Sequence, residues 1–112
     1  MPATVRCDSR QLLGLAALTD FLVLSRQSGA AVAATNQLAD ALLAYERALD
    51  PIDRTASAPL RREAVRLRAE VALLNHRLRR GPVRHAPGFR RRVEALVLHT
   101  VVGHEEESAA SG

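Results

Sequence analysis

The sequence predicts an all-α fold, a four-helix bundle completed by homodimerisation, and three observations lead there. Ala, Leu and Val supply 47 of the 53 hydrophobic residues, while Phe and Tyr together supply three and Trp none. Helices favour Ala, Leu, Arg and Glu, whereas strands favour β-branched and aromatic side chains. The second observation is a heptad seam in the middle of the chain, and the third is an excess of apolar helix surface. With 112 residues, 47% of them hydrophobic and 25% charged, the chain has room for one core and not two. A single Cys excludes a disulfide scaffold, and no apolar run is long enough to read as a membrane span.

The first helix is expected over residues 9–27. Asp8 is a candidate cap, with Gln11 completing a capping box. Ser28-Gly29 supplies a glycine suited to a left-handed exit. Between Leu12 and Leu24 only Gly14, Thr19 and Asp20 are not hydrophobic. Leu15, Leu18 and Leu22 form one stripe, Leu12, Ala16 and Val23 a second, and Leu13, Ala17 and Leu24 a third. A helix apolar nearly all round calls for burial nearly all round. Arg6 and Arg10 before this run, with Ser28-Gly29-Ala30 after it, imitate a signal peptide. Asp20 within the run and Arg26 beside the supposed cleavage site argue against one.

The second helix is expected over 31–49, with Leu38, Leu42, Tyr45 and Leu49 on its inner face. Asn36, Asp40 and Arg47 share the opposite face with Leu43. Asp50-Pro51 stops it, because the residue before proline is pushed out of helical geometry. Residues 50–58 read as a loop.

The third helix is expected over 59–80, with Pro59 in its first turn. Leu60, Ala64, Leu67, Val71, Leu74 and Leu78 recur at four-three spacing, the seam of knobs-into-holes packing. A second stripe, Val65, Ala69, Ala72 and His76, suggests a helix lying between neighbours. Gly81-Pro82 ends it, and the connector 81–88 is expected to be extended.

The fourth helix is expected over 89–102, with Phe89, Val93, Leu96 and Thr100 on one face and Ala95, Leu98 and Val102 on the other. Its β-branched end makes a strand over 96–102 the competing reading. Residues 1–104 thus form a single helical domain, and 105–112 an acidic disordered tail.

Three helices with more than one apolar face overfill a monomer of this size. A small domain hides only about 60–70% of its unfolded surface. Five leucine-sized side chains left in water would forfeit on the order of 10 kcal/mol, as much as a whole domain's net stability. Self-association relieves the conflict, and the expected contact residues are Leu15, Leu18 and Leu22 of the first helix and Leu60, Leu67, Val71, Leu74 and Leu78 of the third.

Charge is unevenly placed. All 16 Lys/Arg residues are Arg, against 12 acids, for a net charge of +4. Residues 71–93 carry seven Arg and no acid. Arg77, Arg79 and Arg80 suit a helix C-terminus, but Arg90, Arg91 and Arg92 sit in a first turn whose dipole end is already positive. Something negative is therefore expected to complete a site at Arg79, Arg80, Arg84, Arg90, Arg91 and Arg92: a phosphate, an acidic partner, a small carboxylate, or the chain's own Glu94 and Glu105–Glu107. The competing reading is a merely solvated charge run.

Catalytic and metal signatures are not found. His76, His85, His99 and His104 include no pair at i, i+4 spacing, and no phosphate loop or nucleophile elbow is present. Ser28-Gly29 could pass for the turn of a helix-turn-helix, but the next helix lacks arginine in the positions that would read bases. Leu60-Arg61-Arg62-Glu63 opening a long helix, followed by Gly81-Pro82-Val83-Arg84, slightly resembles the all-helical chorismate mutases. Those enzymes hold a dicarboxylate between arginines and a lysine in an interlocked dimer. This chain has no lysine, its long helix comes third, and the likeness spans only residues 60–84, so the family is not assigned.

The expected function is a non-enzymatic protein–protein interaction or regulatory module without cofactor or metal, acting as a homo-oligomer and free to bind another protein. The alternative is a nucleic-acid binder using the Arg-rich hinge between the third and fourth helices. The lone Cys7 fits a reducing cytoplasm. The lysine-free, Ala- and Arg-rich composition suggests a GC-rich bacterial genome.

Overall fold

Four helices in sequence line a shared core. The computed structural model describes residues 9–49, 54–85 and 87–99, with side chains from residue 58 onward in the second stretch. The helices are α1 (Ser9–Leu24), α2 (Ser28–Leu49), α3 (Arg54–Leu78) and α4, helical over residues 89–99. α2 packs against both α1 and α3. α4 is tied to α1 through Asp20 and to α3 through Arg92. No described helix is long and apolar enough to cross a membrane.

α1 ends earlier than its apolar pattern suggested. Gln27 N donates to Leu22 O at 2.9 Å and Arg26 N to Val23 O at 3.1 Å. That pair of bonds is a Schellman ending, and its left-handed residue is Arg26, at φ 58. Gly29, expected at this exit, lies instead in the first turn of α2, which starts three residues before the expected Ala31. A side chain in the left-handed region costs about 1–2 kcal/mol, and the two carbonyls satisfied here offset that cost. Asp8 of the expected capping box lies outside the described residues.

α3 also begins early. Pro59 lies inside the helix and not at its start. Its missing N–H removes one bond, to the carbonyl of residue 55, close to an end where helix bonding is incomplete anyway. The expected loop is correspondingly shorter at its C-terminal end. Beyond Leu78 the backbone tightens, with Arg80 N donating to Arg77 O and Gly81 N to Leu78 O. Gly81, at φ 149, then turns the chain into a non-helical connector.

The seam is the core. Ala64, Leu67, Val71, Leu74 and Leu78 of α3 are buried against Leu38, Leu42, Tyr45 and Leu49 of α2, with Leu60 partly buried at the margin. α1 contributes Leu12, Leu15, Ala16, Leu22 and Val23, and α4 contributes Phe89, Val93, Leu96 and Val97. Leu96–His99 are helical, which resolves that part of the helix-or-strand ambiguity; residues from 100 onward lie outside the described set. Two hydroxyls are buried within this core and both are satisfied along their own helices. Thr19 Oγ1 donates to Leu15 O and Thr35 Oγ1 to Val32 O, each at 2.7 Å.

Two apolar faces remain outside. Gly14, Leu18, Phe21 and Leu24 of α1 are exposed. The second stripe of α3, Val65, Ala69, Ala72 and His76, is exposed as well, as are Leu73 and Leu98. α3 has neighbours in α2 and, through Arg92 on Glu63 and Glu70, in α4, but its second stripe, which suggested a neighbour of its own, is covered by neither.

Candidate functional site

The Arg-rich first turn of α4 is where sequence and structure differ most usefully. Its N-cap position is Gly88, at φ 69, which no L side chain adopts cheaply and which offers no capping oxygen. The cap comes from another helix. Asp20 Oδ1 accepts from Phe89 N at 3.1 Å and Asp20 Oδ2 from Arg90 N at 3.0 Å. One carboxylate therefore satisfies two of the orphan donors of the helix end and lies at its positive pole. The lone acid in the apolar run of α1 is there for α4.

The three arginines are answered unequally. Arg90 Nε donates to Glu94 Oε1 at 2.9 Å, one turn along. Arg92 Nη2 donates to Glu63 Oε1 at 3.1 Å and stands 2.6 Å from Glu70 Oε2, both on α3. The Arg92 hydrogen bond holds the Glu70 carboxyl below the usual carboxylate range; partial burial opposes this, and the charges of Arg92 and Arg66 add to it. Glu70 in return raises Arg92 above its already high ordinary value, with Glu63 assisting against the opposing effect of burial. Of the acids expected to complete the cluster, Glu94 does so. Glu105–Glu107 lie outside the described residues, and Asp20, Glu63 and Glu70 supply what the local sequence did not reveal.

Arg80, Arg84 and Arg91 are different. All three are exposed, and no described acid pairs with them. Arg79 Nε donates to Asn75 Oδ1 at 2.9 Å, a neutral partner. Asn75 itself fastens α3 to α2: its Nδ2 faces Thr35 Oγ1 at 2.8 Å, Asn36 Oδ1 at 2.9 Å and Val32 O at 3.2 Å. Further down, Arg68 grips Glu46 with two bonds, Nε to Oε2 at 2.7 Å and Nη2 to Oε1 at 3.2 Å. These ties set the start of α2 beside the end of α3. The α1–α2 turn, with Arg26 at its tip, therefore joins the basic cluster. Sequence spacing could not show that, because Arg26 is fifty-one positions from Arg77.

The residues expected to self-associate divide sharply. Leu15, Leu22, Leu67, Val71, Leu74 and Leu78 are buried within one chain and Leu60 partly so, which leaves Leu18 as the exposed member. The exposed apolar patch of α1 is instead built on Leu18, Phe21 and Leu24, at 44%, 59% and 65% exposure. Phe21 belongs to none of the three stripes expected from the sequence. Among the described residues no cluster of His, Cys, Asp or Glu could hold a metal ion, and Cys7 and His104 lie outside them. No protein family, curated protein or solved structure matches this chain.

Proposed function

We propose that the chain is a non-enzymatic helical interaction module that works as a homo-oligomer, pairing through the outer face of α1. The observation that carries this reading is the conjunction of Phe21 and Gly14 on that face. Gly14 costs about 1 kcal/mol relative to Ala in a helix interior. Nothing among the described residues requires it, since a Cβ there would meet none of their atoms within 4 Å. A second helix approaching closely would require it. Phe21 lies two turns away on the same face, so an antiparallel two-fold centred near Ala17 and Leu18 sets each Phe21 over the other copy's Gly14. Such an isologous contact is the commonest form of dimer.

The magnitudes favour a dissociable complex. At roughly 150–250 Å² per large side chain, the exposed parts of Leu18, Phe21 and Leu24 amount to about 300 Å² on each copy. That is less than half of the ~800 Å² per partner of a standard interface. Removing about 600 Å² from water is worth on the order of 15 kcal/mol before association costs of roughly 4–15 kcal/mol. The single Cys7 fits action in a reducing cytoplasm. A regulatory role would act through the same equilibrium, a second protein competing for the α1 face.

Sedimentation equilibrium from low micromolar to near-millimolar concentration tests the reading. The apparent mass should rise from 12.2 kDa towards twice that value, and Phe21→Asp should remain at the lower mass with unchanged helicity. A wild-type particle that stays monomeric throughout removes the proposal.

A further inference from the structure

The end of the bundle where α1 turns into α2 and α3 exits carries far more positive charge than the chain as a whole. Arg26, Arg77, Arg79, Arg80, Arg84 and Arg91 are all exposed there. They come from four segments: the α1–α2 turn, the last turn of α3, the connector and the first turn of α4. Two acids lie at this end, and both are engaged, Asp20 by two backbone N–H groups and Glu94 by Arg90. Glu63 and Glu70 of α3 border the first turn of α4 and are engaged by Arg92, while Asp40 and Glu46 sit further along α2, Glu46 facing Arg68.

We propose that this basic end docks the sugar–phosphate backbone of duplex nucleic acid, without reading sequence. Guanidinium forks match phosphate oxygens in pairs, and a surface of arginines without described acid partners gathers affinity by releasing condensed counterions. Two further features narrow the ligand. Between Leu74 and Val97, the stretch that carries five of these six arginines, no large apolar side chain is exposed, and beside Arg26 only Leu24 adds one, which disfavours insertion into a lipid surface. Phe89, the one Phe, Tyr or Trp in that stretch, is 2% exposed, so no large ring is offered there for stacking on single-stranded bases. The proposal does not rest on pairing through the α1 face: the arginines supply the charge, and a strict monomer could still bind.

The test is the salt dependence of binding to a random-sequence DNA duplex, with the full chain. For four phosphates engaged at about 0.9 log unit each, affinity should fall roughly a hundredfold between 50 and 200 mM salt. The triple variant Arg80→Ala, Arg84→Ala, Arg91→Ala removes arginines with no described acid partner, so the fold should survive; its log–log slope should drop by about 2.7. The charge-matched control Arg47→Ala, Arg62→Ala, Arg66→Ala should keep the wild-type slope. The proposal is overturned by no binding at 50 mM salt, by equal slopes for the two triple variants, or by binding to polyglutamate or anionic vesicles with none to the duplex.

Discussion

α1 and α3 both enter the sequence with more than one apolar face, and the bundle treats them differently. The heptad seam of α3 is consumed inside the chain, with Leu67 and Val71 at 0% and 1% exposure. α1 gives one side to the core and leaves Leu18, Phe21 and Leu24 outside. Periodicity counts the faces of a helix; it does not say which face finds a partner within the chain. That depends on the neighbours: α1 and α3 each meet α2 and α4 and each keep a face outside, but the one on α1 is built on Leu18, Phe21 and Leu24 and the second stripe of α3 mainly on Val65, Ala69 and Ala72. The comparison is sharpest as a pair of truncations. Leu67→Ala should cost about 2–5 kcal/mol in chemical denaturation, as cavities in closed cores do. Phe21→Ala should change monomer stability by less than about 0.5 kcal/mol while abolishing concentration-dependent association. If Phe21→Ala were as damaging as Leu67→Ala in dilute solution, the two faces would not differ in kind.

Asp20 is what makes α1 more than half a core helix, and its loss ranks next. Asp20→Ala removes both acceptors from the N-terminus of α4 and leaves Arg90 and Arg91 at an unrelieved positive pole. A cap removal costs about 0.5–2 kcal/mol. Hydrogen exchange should place most of that loss in the amides of α4 and spare α2. Uniform loss of protection across all four helices would mean that Asp20 does not act as a local cap.

The parts legible in the sequence are those set by short spacings. The α2 face Leu38, Leu42, Tyr45 and Leu49 and the α3 seam were readable because neighbours at i+3 and i+4 share a surface whatever the tertiary fold. The Asp20 cap was not readable, since Phe89 lies 69 positions away and nothing local marks the pairing. Glu63 and Glu70, seven positions apart, share one edge of α3, but nothing in that spacing marks them as partners of Arg92. Arg26 entered the basic end only through the Asn75 contacts that set the start of α2. The early start of α3 departs from the first-turn expectation for Pro59 because one lost bond near a helix end is tolerable.

Two backbone positions separate cost from use at the level of about 1 kcal/mol. Arg26→Gly relieves the left-handed strain of the α1 exit and should stabilise the fold by about 1 kcal/mol, while also lowering affinity for duplex if the basic end is used. Gly14→Ala should raise monomer stability by about 0.5–1 kcal/mol, because its new methyl meets open space, yet weaken self-association by holding the helices apart. Paired thermal melts and sedimentation runs read both quantities. A Gly14→Ala protein that associates as well as wild type would sever the glycine from the interface.

The smallest expected effect concerns the edge of α3 where α4 is fastened. Glu70 has a lowered folded value because Arg92 hydrogen-bonds its charged form. Its stabilising contribution is therefore present above the ordinary carboxylate value of about 4.3, and is lost as pH falls through the lower folded value. Arg92→Ala removes the cause. It should cost no more than about 1 kcal/mol at neutral pH, since these side chains are partly exposed and screened, and the variant should lose less additional stability on acidification than wild type does. Added salt should shrink the difference. Denaturation midpoints followed from pH 7 down to about pH 3 give both curves. Parallel curves would show that the Arg92 contact does not differ between the folded and unfolded chains, and that α4 is held to α3 by Phe89, Val93 and Leu96 alone.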